Sequence, residues 1–110
     1  MNKSPRSARF NRVLVGNLPL EVNDVEIYDL LSKAGDVRHI EILCHPKTGK
    51  QLGFAEVELA NAEHARMVVQ LMDGMEMQGR KLSVQPILID MKTNFWNSLI
   101  GLLGFTKRST

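Results

Sequence analysis

Cysteine occurs only once in the 110 residues, at Cys44, which excludes an internal disulfide and points to a reducing compartment. No Cys/His cluster has zinc-like spacing, and His39, His45 and His64 fall on different elements without a nucleophile or second ligand nearby, so neither an enzyme site nor a metal or other cofactor is expected. No apolar run reaches the roughly 18 residues of a membrane span. The start also lacks the apolar core of a secretory signal. Because its first residues are acid-free and carry Arg and Ser, a mitochondrial presequence is the minority reading, against which Pro5 breaks any helix. Aromatic residues make up 5% of the chain, and no internal repeat is visible.

What is present suits one small domain with tails, apolar content being 44%. The net charge of +2 is unevenly distributed. Lys3, Arg6, Arg9 and Arg12 at the front, with Lys107 and Arg108 at the end, read as basic arms, whereas residues 13–105 are net −4. Any attraction to phosphate is therefore expected to be weak, salt-sensitive and largely supplied by the arms.

The organising stretch is QLGFAEVEL, Gln51 to Leu59. With period two, Gly53, Ala55, Val57 and Leu59 face a core, while Leu52, Phe54, Glu56 and Glu58 face the other way. Before it come a strand from Arg12 to Gly16, then a helix capped by Asn23 and Glu26, with Ile27, Leu30, Leu31 and Ala34 as its apolar stripe and Gly35 as its stop. Val37 to Cys44 reads as a strand with a parity change near His39, joined to the central strand by the turn Pro46 to Gly49. A second helix starts after Asn61, buries Ala65, Val68, Val69 and Met72, and ends at Gly74. A last strand, Lys81 to Gln85, stops at Pro86. The order β-α-β-β-α-β implies an α+β, ferredoxin-like plan, a four-stranded antiparallel sheet with two helices on one face and the other face uncovered. The organisation expected is a disordered basic arm over 1–11, the domain over 12–86, an extension with an amphipathic helix over 87–105 and a basic tail over 106–110.

Val13-Leu14-Val15-Gly16-Asn17-Leu18 on the first strand resembles the hexamer motif of the RNA recognition motif family, and Leu52 to Leu59 on the third resembles its octamer motif. Asp73-Gly74 and Gln78 to Leu82 resemble the same family, so that the similarity runs from Arg12 to Pro86. The resemblance implies RNA read on the open sheet by aromatics at positions that here are Leu14, Phe54 and Glu56, with a basic group at Leu52. Only Phe54 keeps the aromatic, and Glu56 brings a carboxylate. Losing two stacking platforms, each worth about 1–3 kcal/mol per base, predicts weak binding of single-stranded RNA. The Leu and acidic octamer position resemble Aly-type export adaptors, the Lys-Thr-Gly hairpin resembles the Mago-binding exon-junction subunit, and Ile40 to Gly53 resembles the motif in COMPASS-type methyltransferases.

The leading expectation is a small non-enzymatic protein of RNA processing within a ribonucleoprotein. Phe54 stacks a base; Lys47, Lys50 and Arg80 meet phosphate; Ser83 and Gln85 read base edges, beside Leu14 and Asn17 on the first strand. The alternative is a protein-interaction module, with Leu43, Leu52, Leu14 and Phe54 as an apolar patch edged by Glu41 and Glu56. Its cover is a partner subunit or the chain's own helix after Asn94, where Phe95, Trp96, Leu99, Ile100 and Leu103 share a broad apolar face. No small-molecule substrate is expected. The location expected is nuclear or nucleocytoplasmic.

Overall fold

The structure, a computed structural model, describes residues 10–87. Its elements are β1 (Arg12–Gly16), α1 (Asp24–Leu31), β2 (Val37–Cys44), β3 (Gln51–Leu59), α2 (Ala62–Met72), β4 (Glu76–Met77), β5 (Arg80–Lys81) and β6 (Ser83–Pro86). The main sheet is antiparallel in the order β2-β3-β1-β6, and both helices pack on one face, so the ferredoxin-like expectation holds.

Alternation drives the layering. Val13 and Val15 of β1, Ala55, Val57 and Leu59 of β3, and Val84 of β6 are all at most 1% exposed, and together with Ile27, Leu31, Ala65 and Val68 from the helices they form the core. Burying each such Val or Leu contributes roughly 1.5–3 kcal/mol. The capping box is formed: the Asn23 side chain accepts from the Glu26 amide at 2.8 Å and the Glu26 carboxylate accepts from the Asn23 amide at 3.0 Å. Asn61 caps α2 by accepting from the His64 amide at 2.9 Å, and the His64 ring Nδ1 in turn accepts from the Asp36 amide at 2.8 Å, which ties the start of α2 to the end of the α1–β2 connection.

Three local details differ from the sequence reading. Helix α1 ends at Leu31, not Gly35, because Ser32 to Gly35 close in tight turns on the carbonyls of Leu31, Leu30 and Tyr28. The last strand is split: Arg80–Lys81 belongs to a short hairpin with Glu76–Met77, turning through Gln78 and Gly79 in the left-handed region (φ 51° and 84°), and β6 starts after Leu82. Pro86 is inside β6 and opposite Val13, which an edge strand tolerates because its missing amide hydrogen leaves no inner ladder unpaired. The expected parity change near His39 is present as a register shift between Val37 and His39, and a second lies between Ile42 and Cys44, opposite Gly53 with φ 84°.

Candidate nucleic-acid interface

On the face away from the helices, side chains line up in rows fixed by strand register. Gln85, Leu14, Glu56 and Glu41 run across β6, β1, β3 and β2 as successive partners. One row along, Phe54 is half-buried, its ring lying over Gly16 so closely that a Cβ on Gly16 would stand 3.2 Å from Cε1 and 3.4 Å from Cδ1, and 3.8 Å from the Cβ of Ser83. Phe54 thus has one side against backbone, and it is positioned by the absence of a side chain at Gly16. Leu14 and Leu52 are half-buried, and Gln85 is exposed, as the alternation predicts.

The basic residues divide by whether they are already engaged. Lys47 and Lys50 stand exposed on the β2–β3 loop, whose shape is set by bonds from the His45 amide to the Lys50 carbonyl (2.7 Å) and from the Gly49 amide to the His45 carbonyl (2.8 Å). Arg80 is bound to the end of β1: its guanidinium donates to the Asn17 carbonyl at 3.2 Å and to the Asn17 side-chain oxygen at 2.8 Å, while the Asn17 side-chain Nδ2 donates to the Lys81 carbonyl at 2.8 Å. Asn17 and Arg80 therefore hold β5 against the end of β1. Arg38 is fixed by Asp36 at 3.0 Å, whose hydrogen bond and charge raise the guanidinium pKa above its ordinary value.

Arg12 starts β1 as expected, but its charge, counted from the sequence with the basic front cluster, is engaged: it reaches across the face to Glu56 at 3.4 Å and Glu58 at 3.8 Å. The Glu56 side chain is 10% exposed, and the guanidinium beside it offsets its negative charge, so it opposes phosphate less than a carboxylate without a cation nearby would. Strand parity was the available signal: Arg12, Leu14 and Gly16 share a face, and so do Glu56 and Glu58. Leu43 needs a second correction. Expected in an exposed apolar patch, it is 1% exposed. Phe95, Trp96, Leu99, Ile100 and Leu103 lie outside the described residues.

Among the described residues no three metal-ligating side chains come together, and no helix is long and apolar enough to cross a membrane. Helices on one face of an antiparallel sheet, with a lone ring on the other and a lysine-bearing loop joining β2 to β3, define a split-βαβ recognition domain. The chain belongs to the RNA recognition motif family, whose model matches residues 13–83. It is 32% identical over 78 residues to the 33 kDa chloroplastic ribonucleoprotein of Nicotiana sylvestris, covering 71% of this chain and 24% of that one. It is 35% identical over 74 residues to a probable arginine/serine-rich splicing factor of Caenorhabditis elegans, covering 67% and 27%. The crystal structure of the RNA-binding protein PG1 superposes with a TM-score of 0.66 at 32% identity, covering 71% of this chain and 94% of that one. The chain is thus an RNA recognition motif related to ribonucleoproteins and splicing factors, and it spans about a quarter of the length of the curated relatives it matches.

These relatives correct the expected location. Most are chloroplastic, ribonucleoproteins from Nicotiana species and Spinacia oleracea and RNA-binding proteins from Arabidopsis thaliana, rather than nuclear or mitochondrial proteins. The physical reason for the miss is that the features read from the sequence, a recognition fold and a single cysteine, are compatible with any reducing compartment and do not encode an address.

Proposed function

We propose that the open sheet face binds single-stranded RNA weakly, as one recognition element of RNA processing within a larger ribonucleoprotein. The observation that carries this is the Phe54 ring, braced on Gly16 beside Ser83 and half-exposed on the face away from the helices. One base stacks on Phe54, Ser83 and Gln85 offer polar groups to its edges, Leu14 supplies apolar contact, and Lys47 and Lys50 take phosphate. Asn17 and Arg80 act mainly as a fixed corner, because each already satisfies the other. The likeness to ribonucleoproteins and to the RNA-binding protein PG1 supports the choice of ligand. In this reading residues 12–86 are the domain, 1–11 and 106–110 are basic arms that add phosphate attraction, and 87–105 are an extension.

A protein partner on the same face or on the extension is the second reading, favoured by the half-buried Leu14 and Leu52 and by the ion-paired, phosphate-poor floor around Glu56. The features shared with Aly-type adaptors, the Mago-binding subunit and COMPASS-type methyltransferases, an acidic octamer position, a hairpin and the run Ile40 to Gly53, are read as local likenesses within the same fold, not as a common partner. The test is titration of a labelled single-stranded oligonucleotide. Phe54→Ala should weaken binding by about one order of magnitude or more, the loss of one stacked base, while Phe54→Tyr retains it. Equal affinities for wild type and Phe54→Ala would overturn the assignment.

A further inference from the structure

Among the described residues, eighteen apolar side chains are buried, and sixteen of them belong to the core cluster between the sheet and the helices. The two outside it are Leu43, 1% exposed, and Ile87, 6% exposed. Both have the parity of the opposite face. Leu43 follows Ile42, which packs on the core, and Ile87, whose amide donates to the Arg12 carbonyl at 2.9 Å, continues the alternation of Ser83 and Gln85 opposite Gly16 and Leu14. They stand at opposite edges of the sheet, beside β2 and β6, with Leu14 and Phe54 between them. Glu56, in the middle of that face, is only 8% exposed. Among the described residues, no helix lies on this side to account for the burial.

We infer that the chain's own segment 94–105 docks across this face, from the Ile87 corner towards Leu43, and competes with RNA there; the competition, though not the docking, rests on the function proposed above. The chain leaves the sheet at Ile87 with 23 residues to follow. Residues 88–93 reach up to about 20 Å when extended, and the helix that the sequence pattern predicts over 95–103 would be about 13 Å long, close to the roughly 14 Å across four strands. The apolar row of Phe95, Leu99 and Leu102 and the adjacent row of Trp96, Ile100 and Leu103 match a floor whose apolar contacts are Leu14, Phe54 and Leu43. Because the segment is continuous with β6, its effective concentration at the face is set by a short linker and outweighs a dilute partner of similar surface.

Trp96 is the only tryptophan and reports on docking directly. In the full chain at low micromolar concentration, with sedimentation showing a monomer, its emission should be blue-shifted as for a buried indole. The double substitution Ile100→Glu and Leu103→Glu, in the tail and not in the sheet, should move emission to the solvent-exposed value. Leu43→Glu should do the same from the other side of the contact, with circular dichroism checking that the sheet is retained. If the covered state is about nine-tenths populated, the tail variant should bind a labelled oligouridine about tenfold more tightly than wild type. Solvent-like Trp96 emission in the wild type overturns the docking. A blue shift that appears only as concentration rises overturns it in favour of a second copy of the chain. A docked tail whose release leaves a measurable RNA affinity unchanged overturns the competition alone. Absence of RNA binding in every variant, with the Trp96 shift intact, removes the proposed function and leaves the docking standing.

Discussion

Gly16 and Phe54 act as one unit at the scale of the residue. The ring needs the bare backbone beneath it, since a Cβ at Gly16 would come within 3.2 Å of its edge, tighter than ordinary van der Waals contact. Gly16→Ala should therefore tilt the ring by a few tenths of an ångström without unfolding a strand, changing stability by about 1 kcal/mol or less. Binding of single-stranded RNA should fall, but less than in Phe54→Ala, and chemical denaturation alongside anisotropy titration separates the two effects. An affinity equal to wild type would show that the ring's resting place does not matter. Arg12 and Glu56 illustrate the same dependence on neighbours: a carboxylate that reads from sequence as repulsive to phosphate is held 3.4 Å from a guanidinium of the adjacent strand.

Elements form here where local and tertiary signals agree. Asn61 caps α2, and the same turn carries His64, whose ring accepts from the Asp36 amide, so the cap fixes both a helix start and the loop leading into β2. Asn61→Ala should cost about 1 kcal/mol, lowering Tm by roughly 4–8 °C for a domain of this size. A Tm within a degree of wild type would mean that His64 and the packing of Val68 hold the helix start unaided. The caps, the apolar stripes and the period-two strands were legible because each depends on residues within one turn or one strand of each other. The β4–β5 hairpin and the early end of α1 were not. Arg80 and Lys81 look like the start of a strand until Leu82, whose amide donates to the Met75 carbonyl at 2.8 Å, separates them from β6. Leu43 was legible in parity but not in burial. Its alternation with Ile42 and its place outside the core cluster agree with the open face, yet exposure depends on what the rest of the chain places there, which alternation does not report.

Over the whole molecule, charge decides how RNA is held. Residues 10–87 carry eight basic and eleven acidic side chains, a net −3, and three of the basic ones are engaged: Arg12 by Glu56, Arg38 by Asp36 and Arg80 by Asn17. Lys47 and Lys50, on the exposed hairpin loop, remain to meet phosphate beside the sheet, and Lys3, Arg6 and Arg9 add charge from the arm. Each phosphate neutralised on a single strand contributes about 0.7 to the slope of log affinity against log salt. Replacing Lys47 and Lys50 together with Ala should then lower that slope by about 1.4 and weaken binding similarly for every oligonucleotide sequence, because phosphate contacts carry no base information. Phe54→Ala should do the reverse, lowering affinity at all salt concentrations with little change in slope. A slope unchanged in the double lysine variant would move the phosphate contacts off the β2–β3 loop and onto the arm, where replacing Lys3, Arg6 and Arg9 with Gln would have to account for the whole of it.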